Sequence, residues 1–250
     1  MKALITGASS GIGLDMARYL ATKKIELILV ARSKDKLEKI QESLPTKVTI
    51  IVADLSNEQK VKELYAFIKK ENIDILINNA GFGLFGDFTE TDLNRELEMI
   101  DLNIKAVHVL TKFVLRDMEK KKSGYILNVS SSAAFIPGPL MSTYYATKAY
   151  VNHLTEALAE EQKAKKTNVK ISCLCPGPVD TNFSNVANVH FAFKSVSSSY
   201  VAKYAIDEMF KGKRVIVPTL KMKLCKFFIR FLPDNFAAKV SYHFQKKKAK

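Results

Sequence analysis

The sequence predicts an α/β fold: one domain built on a doubly wound parallel sheet of about seven strands with helices on both faces. Three observations lead there. Apolar runs alternate with helix-period stretches, joined by short connections, which is the rhythm of strand–helix–strand units. The strand-like runs are nearly continuous in Val, Ile and Leu, as strands covered on both faces require. A chain of 250 residues suits one α/β fold with a large sheet, and no composition break precedes a basic tail.

The strand-like runs fall at 2–6, 25–30, 47–52, 73–77, 124–129, 169–175 and 214–217. Between them, apolar residues recur at helical spacing over 11–23, 34–43, 57–71, 92–120, 142–166 and 198–211. There is no internal repeat and no low-complexity linker. Residues 1–250 therefore read as a single domain, with a variable segment over about 182–199 and a basic C-terminal tail over about 219–250.

Composition narrows the function classes. With 47% hydrophobic and 26% charged residues the chain is an ordinary globular protein. No run of eighteen apolar residues exists, so no transmembrane segment is expected. The first residues enter a strand-like run at once and leave no room for a signal peptide. Cys173, Cys175 and Cys225 are an odd, sparse set that fits a reducing, cytoplasmic location better than a disulfide framework. Cys173 and Cys175 alternate within an apolar strand and lack a second ligand pair nearby. They are expected in the core, with no metal site. The net charge is +14, and residues 221–250 carry nine Lys/Arg against one acid, Asp234. Charge alone would suit nucleic acid. No nucleic-acid-binding signature accompanies it, and that partner is not expected.

The turn after the first strand reads Thr6-Gly7-Ala8-Ser9-Ser10-Gly11-Ile12-Gly13. Glycines at a strand–helix junction let the backbone turn tightly and approach a pyrophosphate, while the helix N-terminus offers free N–H groups. The spacing is G-x-x-x-G-x-G, and in a single domain of this length it resembles the short-chain dehydrogenase/reductase family, whose fold is a single Rossmann domain. The resemblance implies a nicotinamide dinucleotide held by Gly7, Ser9, Ser10, Gly11, Ile12 and Gly13. Asp54-Leu55, after the third strand, matches the family's Asp that contacts the adenine. Asn78-Asn79-Ala80-Gly81, after the fourth, matches the segment that packs behind the ribose and steadies the sheet, so Asn79, Ala80 and Gly81 join the cofactor residues.

The end of the second strand bears on which dinucleotide binds. An NAD enzyme places a carboxylate there for the ribose 2′-hydroxyl, and that carboxylate repels a 2′-phosphate. This chain reads Leu29-Val30-Ala31-Arg32-Ser33, with no acid and a guanidinium suited to phosphate. The expected cofactor is NADP(H), with Arg32 reading the phosphate.

Y-x-x-x-K sets two side chains one helical turn apart. Four copies occur, Tyr19/Lys23, Tyr65/Lys69, Tyr144/Lys148 and Tyr242/Lys246, so the motif alone selects nothing. The surroundings select Tyr144 rather than its neighbour Tyr145. The strand Gly124–Val129 ends in Ser130-Ser131-Ser132, and Ser131 lies thirteen residues before Tyr144, the family's catalytic pattern. Ser130 and Ser132 are expected to be structural. Carbonyl reduction needs a hydride from the nicotinamide and a proton on the oxygen. A tyrosine of ordinary pKa near ~10 is a poor two-way proton carrier. Lys148 and the oxidised cofactor are expected to lower it. Ser131 is expected to hydrogen-bond the substrate oxygen. Asn103, in a long helix, matches the family's Asn that steadies a proton-relay water; the alternative is a simple mid-helix polar residue. Pro176-Gly177-Pro178-Val179-Asp180-Thr181 resembles the P-G-x-V-x-T segment, in which Pro176, Gly177, Val179 and Thr181 hold the nicotinamide carboxamide.

The segment 182–199 corresponds to the family's substrate lid. Phe183, Val189, Phe191 and Phe193 lie there among small polar residues, which suits either a hydrophobic or acyl substrate or ordinary loop packing. Asn79 to Gly86 resembles a bacterial oxidoreductase branch related to oxoacyl and hydroxysteroid reductases. In the tail, Leu220, Leu224, Phe227, Phe228 and Phe231 share a helical face, with Lys223, Lys226 and Arg230 elsewhere, and Pro233 ends the helix. This reads as a cover over the substrate cleft or as an interfacial helix in peripheral contact with a membrane. The cover is preferred because the strand at 214–217 hands the chain back to the core. The closing residues 246–250 are expected to be disordered. A homo-oligomer, dimer or tetramer, is the family's habit through helices near 92–120 and 142–166.

Three functions compete. The first is an NADP(H)-dependent oxidoreductase acting on a carbonyl or alcohol, with Ser131, Tyr144, Lys148 and Asn103 as its catalytic set. The second is a non-catalytic NADP-binding scaffold or redox sensor, which would be expected to lose one of those residues. The third is a sugar-nucleotide epimerase or dehydratase, which usually shows a different glycine spacing and a larger C-terminal region.

Overall fold

Period-two alternation within each apolar run decides which helices lie on which side of the sheet. In the computed structural model, which describes residues 1–187 and 195–246 apart from the side chain of Asn185, seven strands form one sheet. They are β1 (Lys2–Thr6), β2 (Glu26–Ala31), β3 (Val48–Val52), β4 (Ile75–Asn78), β5 (Ser123–Val129), β6 (Asn168–Leu174) and, after the short strands β7 (Val179–Asp180) and β8 (Val196–Ser197), β9 (Val215–Ile216). Their order is β3-β2-β1-β4-β5-β6-β9 and every pairing is parallel. The chain runs outward from β1 to β3, then crosses back to place β4 on the other side of β1. The loops after β1 and β4 therefore diverge and open a crevice at the carboxyl ends of the strands, where ligands of such sheets bind.

Ala3, Ile5, Leu27 and Leu29 face one way and pack on Met16 and Leu20 of α1 (Gly11–Thr22), Leu37 of α2 (Lys34–Ser43) and Ile206 of α8 (Ser198–Phe210). The intervening Leu4, Ile28, Val30 and Leu76 face the other way. They pack on Leu64 of α3 (Glu58–Ile68), on Leu110 and Val114 of α5 (Val107–Lys121) and on Ala159 of α6 (Ser142–Ala164). Each such Leu or Ile contributes about 1.5–3 kcal/mol by leaving water, so both faces of the sheet are sealed by the same sequence pattern. Cys173 and Cys175 are fully buried and pack with Val217.

The run at 92–120 is not one uniform helix. It comprises α4 (Leu93–Ile100), a π-helical stretch Asp101–Ala106, and α5. The tail folds as α9 (Leu220–Ile229) and α10 (Asp234–Lys246), the second of which has no counterpart in the sequence reading. Its buried positions are Ala237, Ser241 and Gln245, too small or too polar to register as an apolar stripe, while Phe236 and Tyr242 point outward. Lys246 ends that helix, so the expectation of disorder does not hold for it; residues 247–250 lie outside the described part.

A buried polar chain ties the sheet to the helices behind it. Asn78 Nδ2 donates to Thr111 Oγ1 (3.0 Å) and Asn128 Oδ1 (2.8 Å), and Asn128 Nδ2 donates to Thr155 Oγ1 (3.0 Å). Those bonds tie β4 and β5 to α5 and α6, although Asn78 Oδ1 is itself buried without a hydrogen-bond partner.

Candidate active site

The crevice begins at the glycine turn. Gly7 has φ +65°, and a Cβ there would stand 2.8 Å from Ala80 Cα. A Cβ on Gly13 would stand 2.5 Å from the Gly7 carbonyl oxygen, so the first turn of α1 lies directly on the loop that precedes it. Neither approach tolerates a side chain. Asn79 braces the loop by donating from Nδ2 to the carbonyls of Thr6 (3.0 Å) and Gly7 (3.1 Å). In return, Thr6 Oγ1 accepts from the backbone N–H groups of Asn79 (3.0 Å) and Ala80 (3.1 Å). Ser10 caps α1 with extended backbone but makes no side-chain capping bond, so the helix's first N–H groups are not satisfied from that hydroxyl.

From this turn a cavity of about 930 Å³ runs across the sheet. The sequence-derived site residues converge on it: all of them except Gly13 and Asn103 line its wall. At the β2 end, Arg32 is joined by Ser33 and Lys36, two donors the sequence reading did not single out. The signal was present, since a lysine follows Arg32 at four residues. The reading also found no acid here, whereas α4 brings one from a distance: Glu98 Oε1 lies 3.5 Å from Arg32 Nη1. Asp54 lines the cavity while its Oδ1 accepts from the Ser56 N–H (3.0 Å) and hydroxyl (2.8 Å), which holds the turn after β3.

At the centre stand Ser131, Tyr144 and Lys148. The N-terminal turns of α6 carry the tyrosine and lysine. Ser130 pins that helix to the end of β5 by donating to the Lys148 carbonyl (2.7 Å), while Lys148 Nζ donates back to the Val129 carbonyl (2.9 Å). Ser131 Oγ accepts from the Ala133 N–H at 3.1 Å and lines the cavity beside the Tyr144 phenol. Lys148 Nζ lies 5.9 Å from the centre of the Tyr144 ring. Both groups are buried. Burial pushes the Tyr144 phenol well above its ordinary value and outweighs the opposite pull of the nearby Ser131 hydroxyl. The lowered phenol expected from Lys148 is therefore not a property of the protein's own side chains. Burial also pulls the Lys148 ammonium down to about 8, because a charge is costly without water. The other three Y-x-x-x-K tyrosines are elsewhere. Tyr19 donates to Asp207 (2.7 Å), Tyr65 donates to Asp117 (2.9 Å), and Tyr242 is exposed on α10.

Asn103 sits in the π-helical stretch behind this group, buried. Its Oδ1 accepts from the Phe82 N–H (3.1 Å), and its Nδ2 donates to the Phe82 carbonyl (2.9 Å) and Thr147 Oγ1 (3.1 Å). The side chain thus joins the loop after β4 to the turn of α6 between Tyr144 and Lys148. A π-turn inside an α-helix is frequent at functional sites. The Pro176 carbonyl accepts from Ser132 N–H (2.8 Å), Val179 pairs with Val196 across β7 and β8, and Thr181 Oγ1 accepts from the Phe183 N–H (3.3 Å) at the start of α7 (Phe183–Ala187). Phe183 continues onto the Tyr144 ring, with centroids 5.3 Å apart. Val189, Phe191 and Phe193 of the expected lid lie outside the described residues.

The wall beyond Tyr144 is mostly apolar and comes largely from the tail. Met222, Cys225 and Ile229 of α9 and Ala237 and Val240 of α10 line it, with Met222 lying over Gly177. The tail therefore closes over the crevice, as preferred; of the expected face only Leu224 and Phe228 line the cavity, beside Met222, Cys225 and Ile229. Leu220, Phe227 and Phe231 do share a side of the helix, and it is the outer one, each more than half exposed. One polar spot interrupts the apolar wall. Tyr145 Oη accepts from Gln245 Nε2 at 2.5 Å, and Gln245 Oε1 is buried without a hydrogen-bond partner.

Residues 1–190 match the family model of short chain dehydrogenases. An uncharacterised oxidoreductase of Staphylococcus saprophyticus is 35% identical over 188 residues, which is 73% of this chain and 80% of that protein. Among solved structures, a short-chain dehydrogenase from Sphingobium yanoikuyae in complex with NADPH is 28% identical, with a TM-score of 0.82 over 88% of both chains. The bulky-bulky ketone specific alcohol dehydrogenase from Comamonas testosteroni is also 28% identical, with a TM-score of 0.78 over 88% of this chain and 86% of that one.

Proposed function

The chain is a member of the short-chain dehydrogenase family of oxidoreductases, and from that premise we propose that it is an NADP(H)-dependent reductase of a bulky, hydrophobic ketone or acyl carbonyl. The carrying observation is the convergence of Ser131, Tyr144 and Lys148 on the same cavity as the glycine turn. The protein's own residues fit the dinucleotide. Gly7 and Gly13 leave a cradle that a Cβ would fill, and the start of α1 turns its N–H groups and positive dipole end toward a pyrophosphate. Arg32, Ser33 and Lys36 fit a 2′-phosphate, and the Sphingobium relative binds NADPH. Pro176, Gly177, Val179 and Thr181 would hold the nicotinamide end, and Asp54 and Leu55 the adenine end.

Bound there, the cofactor supplies the hydride. Tyr144 passes its phenolic proton to the carbonyl oxygen, and Ser131 donates a hydrogen bond to that oxygen as charge develops on it. In the reverse direction Tyr144 takes the alcohol proton back. A phenol raised by burial is a poor acid, so the reaction needs positive charge beside it. Lys148, protonated on the same helix face, would supply part of that charge, and the rest would come from the nicotinamide as it becomes oxidised. Asn103 keeps the loop after β4 and the Tyr144–Lys148 turn in register and is a positioning residue. The substrate class is supported by the apolar wall from Met141, Phe183, Met222 and Ile229 and by the bulky ketones of the Comamonas relative.

The test is cofactor consumption by purified protein over a panel of aliphatic, aromatic and steroid-like ketones and oxoacyl thioesters, with NADPH and NADH in parallel. Oxidation of NADPH with a bulky member, at a higher kcat/KM than with NADH, is the expected result. Tight NADPH binding without turnover of any member would replace the reductase with a non-catalytic scaffold. Equal efficiency with both cofactors would remove the role given to Arg32.

A further inference from the structure

Covering a cleft explains the inner face of α9 and leaves the outer one unaccounted for. Leu220 and Phe231 are each 71% exposed, Phe227 57% and Phe236, at the start of α10, 54%. Single exposed apolar residues are ordinary, but three of the phenylalanines are contiguous: the Phe227 ring lies 5.3 Å from that of Phe231 and 5.5 Å from that of Phe228. Lys223 and Arg230 lie at helical spacing along the flank of this stripe and Lys239 follows from α10, while Lys226 turns inward over the Phe135 ring (4.9 Å). Among the described residues none of these four is in an ion pair with a carboxylate, and the tail's one acid is Asp234.

We propose that the outer face of α9 and the start of α10 are a docking surface for an anionic lipid bilayer, with α9 lying flat in the interface. An apolar face carrying Phe and Leu and flanked by Lys and Arg is what binds at the boundary of headgroups and acyl chains. Each basic residue near an anionic surface adds attraction that salt weakens. A second copy of the chain fits this face less well. A two-fold interface sets a patch against itself, and this one would bring a tail with nine Lys/Arg and one acid against its own copy. The inner face of the same helix lines the cavity through Met222, Cys225 and Ile229. An apolar substrate dissolved in the bilayer would then stand one helix away from Tyr144. That consequence rests on the reductase reading, whereas lipid binding itself does not.

The experiment is co-sedimentation of the full chain with vesicles of phosphatidylglycerol and phosphatidylcholine, and of phosphatidylcholine alone, at low and high salt. Expected are binding to the anionic vesicles, its loss with salt, and little binding to the zwitterionic ones. A Phe227→Ser/Phe231→Ser variant, whose residues do not line the cavity, should bind about tenfold more weakly or worse. Arg230→Glu/Lys239→Glu should lose binding to the anionic vesicles as a second, charge-only variant. Thermal unfolding of both variants checks the fold without reference to any activity. No sedimentation of the wild type with anionic vesicles overturns the proposal, as does equal binding by both variants. A wild-type dimer in sedimentation velocity that Phe227→Ser/Phe231→Ser dissociates would assign the face to a second copy instead.

Discussion

Arg32 and Lys36 flank one end of the cavity, and each charged contact to a phosphate contributes about 1.5–3 kcal/mol when well formed. Arg32→Asp, or Lys36→Glu, should therefore lower the ratio of kcat/KM for NADPH over NADH by roughly 10–100-fold. Glu98, 3.5 Å from Arg32, opposes that preference, and Glu98→Gln should raise it modestly in the same assay. Lys148 gives a pH signature. Its folded value of about 8 is below that of an exposed lysine, so as pH rises through about 8 the cofactor-free protein loses this ammonium while an unfolded chain would keep it. Stability accordingly rises with pH between about 8 and 10.5, the ordinary value of an exposed lysine. The same step removes the positive charge that the proposed reaction places beside Tyr144 and the cofactor. The dissociation constant of NADPH, measured by fluorescence titration, should weaken above about pH 8 and show no such step in Lys148→Met. A wild type whose affinity is flat across that range would contradict the role given to this charge.

Elements hold these residues in place, and the buried chain from Asn78 through Asn128 to Thr155 is one of the ties between the sheet and α6. Asn128→Ala leaves buried partners unpaired and should destabilise the fold by about 1–3 kcal/mol in denaturant titration, with reduced turnover because α6 loses an anchor. The strands and most helices were legible in the sequence because their signals are local: β1 to β6 are runs of Val, Ile and Leu, and α1 to α3 show the apolar repeat. What escaped depends on contacts between distant segments. The π-helical turn at Asp101–Ala106 follows from Asn103 binding Phe82 and Thr147, which no local pattern announces. Gln245 meets Tyr145 across 100 positions of sequence, and α10 buries only Ala237, Ser241 and Gln245. The glycine turn, Ser131, Tyr144 and Lys148 were legible for a different reason: close backbone approach and proton chemistry restrict the residue types. Ser33, Lys36 and Glu98 face few such restrictions, and the sheet had to fold before they came together.

At the scale of the whole molecule, one sheet supplies a crevice at its switch point, and the tail closes it with one face of α9 while turning the other outward. No helix among the described residues is long and apolar enough to cross a membrane. The same sheet also gives the four equivalent Y-x-x-x-K pairs four different fates, and only Tyr144 reaches the cavity beside Ser131 and Lys148. The central claim is that this phenol carries the proton. The most direct measurement compares NADPH-driven ketone reduction by wild type, Tyr144→Phe, Tyr145→Phe and Tyr242→Phe, with NADPH binding followed separately. Tyr144→Phe should lose about 10²–10⁴-fold in kcat with cofactor still bound, while the other two remain active. Turnover by Tyr144→Phe at the wild-type rate would contradict the account.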